Sequence, residues 1–181
     1  MPKCRKRLIN AFIELRSKKP LEKISVVELV AKADVNKSTF YAYFHDVYDL
    51  SEQLQQELID RIAETLPNPE NVILNTAQYT KDVLLAYEAN KQQIAILFSG
   101  SQSWRLPMLV RNKTMEIVHE HITDSGIDEE KLSMIVNYKI YGAYYAYASD
   151  SKMEIMDKIA YIAHLTGGED GDYAEFYKGK C

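Results

Sequence analysis

The stretch VNKSTFYAYFHDVYDL, Val35 to Leu50, decides how this chain is interpreted. It opens with small polar residues and then places four aromatic side chains within five positions. Phe40 and Phe44 are four residues apart, so they share one face of a helix and are expected to anchor it to a core. Tyr41 lies on another side of that helix and is expected at the surface. The aromatic residues therefore divide into buried anchors and an exposed rim.

Two short helices joined by a tight turn are predicted around this stretch. Ser25 and Glu28 have capping-box spacing, which starts the first helix. The segment 34–36 is predicted to turn, since Asp and Asn tolerate the left-handed backbone region. Asn36 is then a good N-cap for a second helix from Lys37 to about Phe44. This is the sequence form of a helix-turn-helix, in which the second helix enters the major groove of DNA with its N-terminus leading.

Helical patterns continue through the rest of the chain, and no hairpin signal or internal repeat interrupts them. We predict an all-α fold, with a helix-turn-helix domain at 1–48, a helical dimerisation and ligand-binding domain at 49–167 and a flexible tail at 168–181. Asp46 and Asp128 are the expected caps of two further helices. The helices predicted after the prolines at 67 and 69 cover residues 72–90, 92–99, 104–123, 128–149 and 151–166.

Composition limits the class of protein. The chain has 181 residues, of which 46% are hydrophobic, so a substantial core is expected. No run of 18 apolar residues and no signal-peptide pattern is present, and a cytoplasmic location away from any membrane is expected. Cys4 and Cys181 are expected to be free thiols.

Charge is unevenly distributed along the chain. Residues 1–49 contain ten Lys/Arg and six Asp/Glu, a net charge of +4, whereas residues 50–181 contain twelve and twenty, a net charge of −8. A basic N-terminal end on an acidic body suggests that this end meets a polyanion.

No residue pattern indicates catalysis or a cofactor. His119 and His121 are two positions apart, so on a helix they point in roughly opposite directions and are poorly placed to hold one metal ion. Glu129 and Glu130 lie at a predicted helix start, where the helix dipole explains them. The sequence contains no phosphate-binding glycine loop and no Ser/His/Asp order. We predict a protein that is not an enzyme and that has neither cofactor nor metal.

Residues 25–50 resemble the DNA-binding domain of the TetR/AcrR family of transcriptional regulators. The specific part is Thr-Phe-Tyr-x-Tyr-Phe at 39–44 followed by Asp49-Leu50, and the resemblance covers about residues 5 to 52. It implies that the helix from Lys37 is the recognition helix. The DNA-binding residues it implies are Lys37, Ser38 and Ala42 toward bases, Thr39, Tyr41 and Tyr43 toward phosphates, Ser25 and Val26 at the preceding helix N-terminus, and His45.

Three positions depart from the family pattern. Asp34 stands where the family usually has glycine in the turn. Val47 stands where a lysine usually binds phosphate, and His45 replaces a further lysine that is often present. The resemblance therefore implies the fold and DNA binding, with affinity that is weaker or more dependent on pH.

The C-terminal part contains a tyrosine-rich helix, NYKIYGAYYAYA, that is apolar on two sides. Such a helix needs two partners, either as a central core helix or as one that faces both its own core and a second subunit. In the resembling family the last two long helices form the dimer interface. The residues predicted for a homodimer interface are Tyr144, Tyr145, Ile155, Ile159 and Ile162.

A small-molecule effector site is also expected in the C-terminal domain. Binding pockets combine apolar and aromatic walls with a few polar groups, and a neutral or weakly charged, medium-sized, partly aromatic or amphipathic ligand is predicted. The alternative is that these side chains fill the core. The residues predicted to line the pocket are Tyr87, Phe98, Trp104, Met108, Met115, Asn137, Tyr138 and Tyr141.

The sequence thus predicts a homodimeric regulator that binds a double-stranded DNA operator, with repression relieved by a ligand as the mechanism the resemblance implies. Two alternatives stay open. A protein of the same fold could bind a protein partner through its C-terminal domain, as an activator or co-regulator. A helical protein could also carry a helix-turn-helix without binding DNA.

Overall fold

Ten α-helices make up most of the described chain. The computed structural model describes residues 3–121 and 128–167, and no β-strand occurs within these ranges. The predicted all-α fold is confirmed. The helices are α1 (Lys3–Arg16), α2 (Val26–Ala33), α3 (Lys37–Tyr41), α4 (Val47–Ala63), α5 (Asn71–Leu74), α6 (Thr76–Ala89), α7 (Lys91–Leu97), α8 (Arg105–His121), α9 (Glu129–Ala148) and α10 (Ile155–Gly167).

The described residues divide into two compact units. The first comprises residues 3–58 and 90–106, and the second comprises residues 59–89, 107–121 and 128–167. The predicted DNA-binding segment 1–48 falls in the first unit, as far as it is described, together with the chain that follows it to residue 58 and the later segment 90–106. The tail predicted at 168–181 lies outside the described residues. None of the described helices is both long and apolar enough to cross a membrane.

The core of the first unit is built where α1, α2 and α3 pack together. Leu8 and Phe12 of α1 are fully buried, as their spacing along one helix face predicts. Leu29 of α2 and Phe40 of α3 are also fully buried. Burial of these large apolar side chains holds the two short helices in place, since helices of eight and five residues are marginal on their own.

The segment 90–106 joins the first unit through polar groups that reach backbone carbonyls. Gln55 is fully buried; its Nε2 donates to the Leu97 carbonyl at 2.8 Å, and its Oε1 accepts from Arg105 Nε at 2.7 Å. Arg16, also buried, donates from Nη2 to the Ser99 carbonyl at 2.8 Å. Buried polar groups that are hydrogen-bonded in this way fix one geometry, because losing a partner inside the protein is costly.

The second unit is organised around α6, α9 and α10. Leu84 of α6, Ala143 of α9, and Ile159 and Ile162 of α10 form one buried cluster. Ile159 is fully buried and Ile162 is 3% exposed. These two isoleucines, predicted for the dimer interface, therefore belong to the core of the chain itself. Their spacing on an amphipathic helix marks its buried face, and sequence alone does not say which neighbour covers that face.

Asn75 divides one helix of the sequence prediction into two. The sequence predicts a single helix over residues 72–90, but α5 ends at Leu74 and α6 begins at Thr76. The Asn75 backbone is non-helical, and its side-chain oxygen accepts from the Gln78 amide at 3.0 Å. Asparagine competes with helical hydrogen bonding in this way, so it caps α6 instead of continuing α5.

Candidate nucleic-acid interface and internal cavity

The turn between α2 and α3 has the left-handed geometry that the sequence predicts. Asp34 ends α2 with φ 50° and ψ 56°, and its amide reaches the carbonyls of the last turn of that helix. Its carboxylate pairs with Arg7 of α1. Aspartate tolerates this backbone region where most residues do not. The turn therefore forms without the glycine that is usual in the resembling family.

Asn36 organises the start of α3. Its Oδ1 accepts from the Thr39 amide at 2.8 Å, from the Ser38 hydroxyl at 2.8 Å and from the Thr39 hydroxyl at 2.7 Å. The predicted N-cap is confirmed. A carbonyl oxygen has two lone pairs, so three donors share it. Either hydroxyl can therefore turn outward to another acceptor while the cap stays occupied.

Helix α3 is shorter than the sequence suggested. It covers Lys37–Tyr41 instead of extending to Phe44, and the chain continues in a helical turn in which the Phe44 amide donates to the Phe40 carbonyl at 3.0 Å. Phe40 and Phe44 are both buried, with ring centroids 5.6 Å apart, which confirms them as the anchors. Tyr41 is 58% exposed, which confirms it at the rim.

All nine residues predicted to contact DNA are accessible. Val26, Thr39 and Tyr43 are partly exposed, and the other six are exposed. Six of the nine lie within the continuous segment 37–43, at the accessible N-terminal end of α3 and the turn after it. The structure therefore presents the predicted set on the surface of the first unit.

The N-terminus of α4 follows a few residues after the end of α3. Asp46 caps α4 as predicted, accepting from the Tyr48 and Asp49 amides at 2.8 and 2.9 Å. Asp49 accepts from the His45 amide at 2.8 Å, and this hydrogen bond is the main cause of the lowered pKa of its carboxyl group. Val47 is buried, so at this position the chain has a core residue where the resembling family has a phosphate-binding lysine.

Much of the positive charge in the N-terminal segment is neutralised within the protein. Glu14 accepts from both Lys18 and Lys32, at 2.9 and 2.7 Å, and these hydrogen bonds lower the pKa of its carboxyl group to about 2. Arg5 pairs with Glu57, Arg7 with Asp34 and Lys19 with Glu28. The basic side chains that remain exposed in this segment, apart from Lys18 and Lys32, are Lys3, Lys6, Lys23 and Lys37.

The second unit contains a cavity of about 30 Å³ between α5, α6, α8 and α9. Its walls are mainly aliphatic, and its polar lining consists of one lysine, Lys139, one tyrosine and three threonines. Tyr79 Oη and Thr114 Oγ1 are hydrogen-bonded at 3.1 Å. The lining residues are Val72, Ile73, Thr76, Tyr79, Thr80, Thr114, Val118, Leu132, Ile135, Val136, Lys139 and Ile140.

None of the eight residues predicted to line a ligand pocket lines this cavity. Phe98 and Trp104 fall in the first unit and the other six in the second. Trp104 and Tyr138 are exposed, and Arg111 Nε donates to Asn137 Oδ1 at 2.8 Å. Tyr87 packs edge-on against Tyr147, with ring centroids 5.0 Å apart.

Lys139 is the unusual member of the cavity. It is only 8% exposed, and burial lowers the pKa of its ammonium group. Lysine is rarely buried, because removing the charge from water is costly. Sequence reasoning missed this residue, since its place in a tyrosine-rich helix suggests a solvated side chain.

We expect Lys139→Met to stabilise the unliganded protein at neutral pH, by roughly 2–4 °C in Tm. The pKa is lower in the folded than in the unfolded chain, so at neutral pH the burial of the charge counts against folding, and stability recovers as pH rises through the folded pKa toward 10.5. The gain should shrink as pH rises toward 10.5 in thermal denaturation. A gain that grows with pH, or a loss at pH 7, contradicts this reading of the pKa.

Exposed apolar side chains concentrate on α9, on α10 and just before α10. Tyr138 of α9 is 78% exposed and Leu165 of α10 is 58% exposed. Gly142 lies between two exposed tyrosines of α9, and a side chain added there would meet no atom within 4 Å. Large exposed apolar patches mark interaction sites. The exposed apolar residues of this region, called here the apolar face, are Met134, Tyr138, Tyr145, Met153, Ile155, Met156, Tyr161 and Leu165.

Of the five residues predicted for the dimer interface, two lie on the apolar face. Tyr145 and Ile155 are exposed there, whereas Tyr144 is partly buried with its ring 5.2 Å from that of Tyr145. Ile159 and Ile162 are in the core, as described above.

The capped turn, the anchored short helix and its accessible polar N-terminus define a helix-turn-helix protein. No family model matches the chain. A curated relative, the uncharacterized HTH-type transcriptional regulator YvdT of Bacillus subtilis (strain 168), is 29% identical over 98 residues, which are 52% of this chain. The match spans about half the length of that relative, 50%.

Two solved structures have a fold similar to that of this chain over nearly its whole length. A TetR transcriptional regulator from Streptococcus agalactiae 2603V superposes with a TM-score of 0.60 at 22% identity, covering 91% of this chain and 94% of that one. The fatty acid degradation regulator FadR from Bacillus halodurans gives a TM-score of 0.53 at 16% identity, covering 94% and 97%. The chain therefore has the all-α fold of these two solved structures, with the helix-turn-helix at its N-terminal end.

Proposed function

We propose that this protein is a transcriptional regulator that binds operator DNA as a homodimer, with α3 as its recognition helix. The observation that carries the proposal is the start of α3. Asn36 caps the helix, and the buried Phe40 anchors it to the core of the first unit. Lys37 and Ser38 are exposed at the N-terminus of the helix. Helix N-terminal amides favour phosphate nearby, and small or donor side chains at this end can reach base edges in the major groove.

The proposed contacts divide into base readout and backbone positioning. Lys37 is the donor best placed for a base edge, because it is the first residue of α3. Tyr41 is one turn further on, with its ring edge-on to Phe40 at 5.4 Å and its side chain largely exposed, which suits a hydroxyl that donates to phosphate. Thr39 is able to donate to phosphate only by leaving Asn36, which keeps its cap through the Thr39 amide.

We expect few phosphate contacts, and therefore a modest salt dependence of DNA affinity. Five of the ten basic residues in segment 1–49 are paired with carboxylates, and Val47 replaces a phosphate-binding lysine. Each phosphate that is neutralised by a lysine or arginine contributes a slope of about −0.9 to log K against log salt. Affinity should still fall as salt rises, since counterion release supplies most of the binding to any sequence.

A dimer is proposed because two recognition helices must reach half-sites roughly 34–36 Å apart on DNA. The apolar face is the surface that supports it. It offers Tyr138 and Tyr145 on α9 with Leu165 on α10. Gly142 leaves room between the tyrosines for a partner helix to approach closely.

Release from DNA by a small molecule is the proposed mode of regulation, with repression as its outcome. A ligand that binds the second unit and lowers DNA affinity must itself bind more weakly in the presence of operator, by the same factor. The small size of the cavity favours one alternative: a regulator of the same fold whose C-terminal unit binds a protein partner instead. Retained operator binding with no response to any small molecule would distinguish that case.

Two substitutions on α3 test the proposed contacts. Lys37→Ala should weaken binding to the preferred operator by roughly 1–3 kcal/mol and relax preference at one position per half-site, because it removes a base contact. Tyr41→Phe should weaken preferred and unrelated duplexes by similar factors, since phosphate contacts carry no sequence information. Fluorescence anisotropy with both duplexes measures these effects.

Lys91→Ala is the matched control, because Lys91 is exposed in the same unit but lies on α7. It should leave affinity within about 0.5 kcal/mol of the wild type. If Lys37→Ala weakens binding no more than Lys91→Ala does, α3 is not the recognition helix.

A further inference from the structure

The ion pair between Arg7 and Asp34 lies beside the proposed DNA-binding residues and takes no part in the contacts assigned above. Arg7 belongs to α1, and Asp34 ends α2 in the turn before α3. We propose that Arg7 is a further phosphate-binding residue and that the Asp34 carboxylate competes with DNA for its guanidinium group. The inference rests on the proposed function, because it takes α3 and its surroundings as the surface that meets DNA.

A groove in the first unit places Arg7 with a residue already proposed to bind phosphate. Arg7, Asp34, Asn36 and Thr39 all line this groove, which is open to solvent. Its volume is about 480 Å³, far more than the roughly 30 Å³ that one water molecule occupies, so a phosphate group can enter without moving a helix. A phosphate that accepts a hydrogen bond from Thr39 would therefore share the groove with the Arg7 guanidinium.

The charges in this groove cancel in the free protein. Among the described residues that line it, Arg7 and Asp34 are the two charged ones, and they are paired with each other. The Asp34 side chain is 92% exposed, and ion pairs at the surface contribute little to stability. A phosphate offers the guanidinium two oxygens in a geometry that suits bidentate hydrogen bonds. Arg7 can therefore exchange the carboxylate for a phosphate with little cost to the fold.

Asp34 limits the strength of the phosphate contact. When Arg7 turns to a phosphate, the Asp34 carboxylate loses its partner and remains in the same groove as another negative charge. Like charges at short range repel each other, so part of the energy gained by Arg7 is lost. Asp34 therefore lowers affinity for DNA of any sequence, since phosphate contacts carry no information about the bases.

The turn does not need this carboxylate. Asp34 has φ 50° and ψ 56°, and its backbone amide, not its side chain, donates to the carbonyls at the end of α2. Asparagine and glycine both tolerate the left-handed backbone region. Asp34→Asn therefore removes the charge and retains the turn, so its effect on DNA binding can be measured in a folded protein.

Fluorescence anisotropy of the full chain over a series of salt concentrations tests the proposal, with an operator selected from random DNA and an unrelated duplex. Asp34→Asn should tighten binding to both by similar factors, at least about threefold at low salt. The slope of log K against log salt should become steeper by about 0.9, because one more phosphate is neutralised. Tm should stay within about 4 °C of the wild type, since only a surface ion pair is lost. Unchanged or weaker affinity in the folded variant overturns the proposal.

Arg7→Gln in the Asp34→Asn background identifies the group that makes the new contact. The double variant should return to within about twofold of wild-type affinity and to the wild-type salt slope, because no guanidinium remains at this position to bind phosphate. If the double variant keeps the full gain of Asp34→Asn, Asp34 acts by repulsion alone and Arg7 is not a phosphate-binding residue.

Glu57→Gln is the matched control for added positive charge. Glu57 pairs with Arg5, another arginine of α1, and neither is among the described residues that line the groove. The substitution also removes the carboxylate partner of an arginine, but it should change affinity by less than about twofold, because a charge that does not touch phosphate is screened by salt. A gain equal to that of Asp34→Asn would show that any added charge in the first unit strengthens binding, and it overturns the proposal.

The wild-type titration separates failure of this inference from failure of the proposed function. Salt-dependent binding of the wild type to the selected operator supports the proposed function whatever Asp34→Asn does. A wild type that binds operator, with a variant that binds no more tightly, loses the Arg7 contact and remains a DNA-binding protein. Absence of binding by both proteins overturns the proposed function and the inference with it.

Discussion

Ile159→Asp is expected to unfold the second unit. Ile159 is fully buried in the cluster formed with Leu84, Ala143 and Ile162, and an aspartate there would be an unpaired charge among apolar side chains. Such a change costs about 3–5 kcal/mol or more, a large part of the roughly 5–15 kcal/mol that stabilises a whole domain. Far-UV circular dichroism should show loss of helix at 25 °C, or a melting transition that has moved far below that of the wild type.

Ile159→Val is the control for this variant. It removes one methylene from the same site and should cost only about 0.5–1.5 kcal/mol. If Ile159→Asp instead gives a folded protein with wild-type Tm that fails only to dimerise, Ile159 faces a partner subunit and its place in the core is wrong.

Leu165→Asp is expected to give a folded monomer. Leu165 lies on the same helix but is 58% exposed, so a charge there costs little in the isolated chain. In the proposed dimer the charge would be buried without a partner, and the dimer dissociation constant should rise at least about a hundredfold, near 3 kcal/mol. Light scattering should find a monomer at micromolar concentration, and operator binding should be lost with the dimer.

Leu74→Asp tests whether loss of the dimer depends on where the charge is added or follows from any added surface charge. Leu74 is 76% exposed and lies on α5, which carries no member of the apolar face, so the same substitution there should leave the dimer intact. A Leu165→Asp protein that remains dimeric, or a Leu74→Asp protein that is equally monomeric, contradicts the assignment of the apolar face.

The helix-turn-helix could be predicted because its determinants are local. Asn36 caps the helix that starts at the next residue, and Asp34 holds a backbone conformation set by its own side chain and by sterics. Two residues four positions apart, as Phe40 and Phe44 are, share one face of any helix, because the helical period places them together. Each of these features depends on residues within a few positions of one another.

The packing of segment 90–106 could not be predicted in the same way. Its contacts with Gln55 and Arg16 use the carbonyls of Leu97 and Ser99, and backbone groups are the same at every position. A buried arginine and a buried glutamine are also exceptions to the usual exposure of these residues. The sequence does not indicate which distant carbonyl accepts a hydrogen bond from Gln55 or Arg16.

The sequence also does not predict which face of α10 is buried. Periodicity predicted an apolar helix, and Ile159 and Leu165 are both apolar members of it. The positions of α6 and α9 decide that Ile159 is buried and Leu165 is not. The same holds for Lys139, whose burial follows from the helices around it and not from its neighbours in sequence.

Selection of bound duplexes from a random DNA pool tests most directly whether this protein reads operator sequence as a dimer. The prediction is enrichment of a twofold-symmetric site with half-sites about one helical turn apart, bound less tightly as salt rises. Loss of preference at one position per half-site with Lys37→Ala would assign the readout of that position to α3. A pool with no enriched sequence, or binding that is unaffected by salt, would contradict the proposed function.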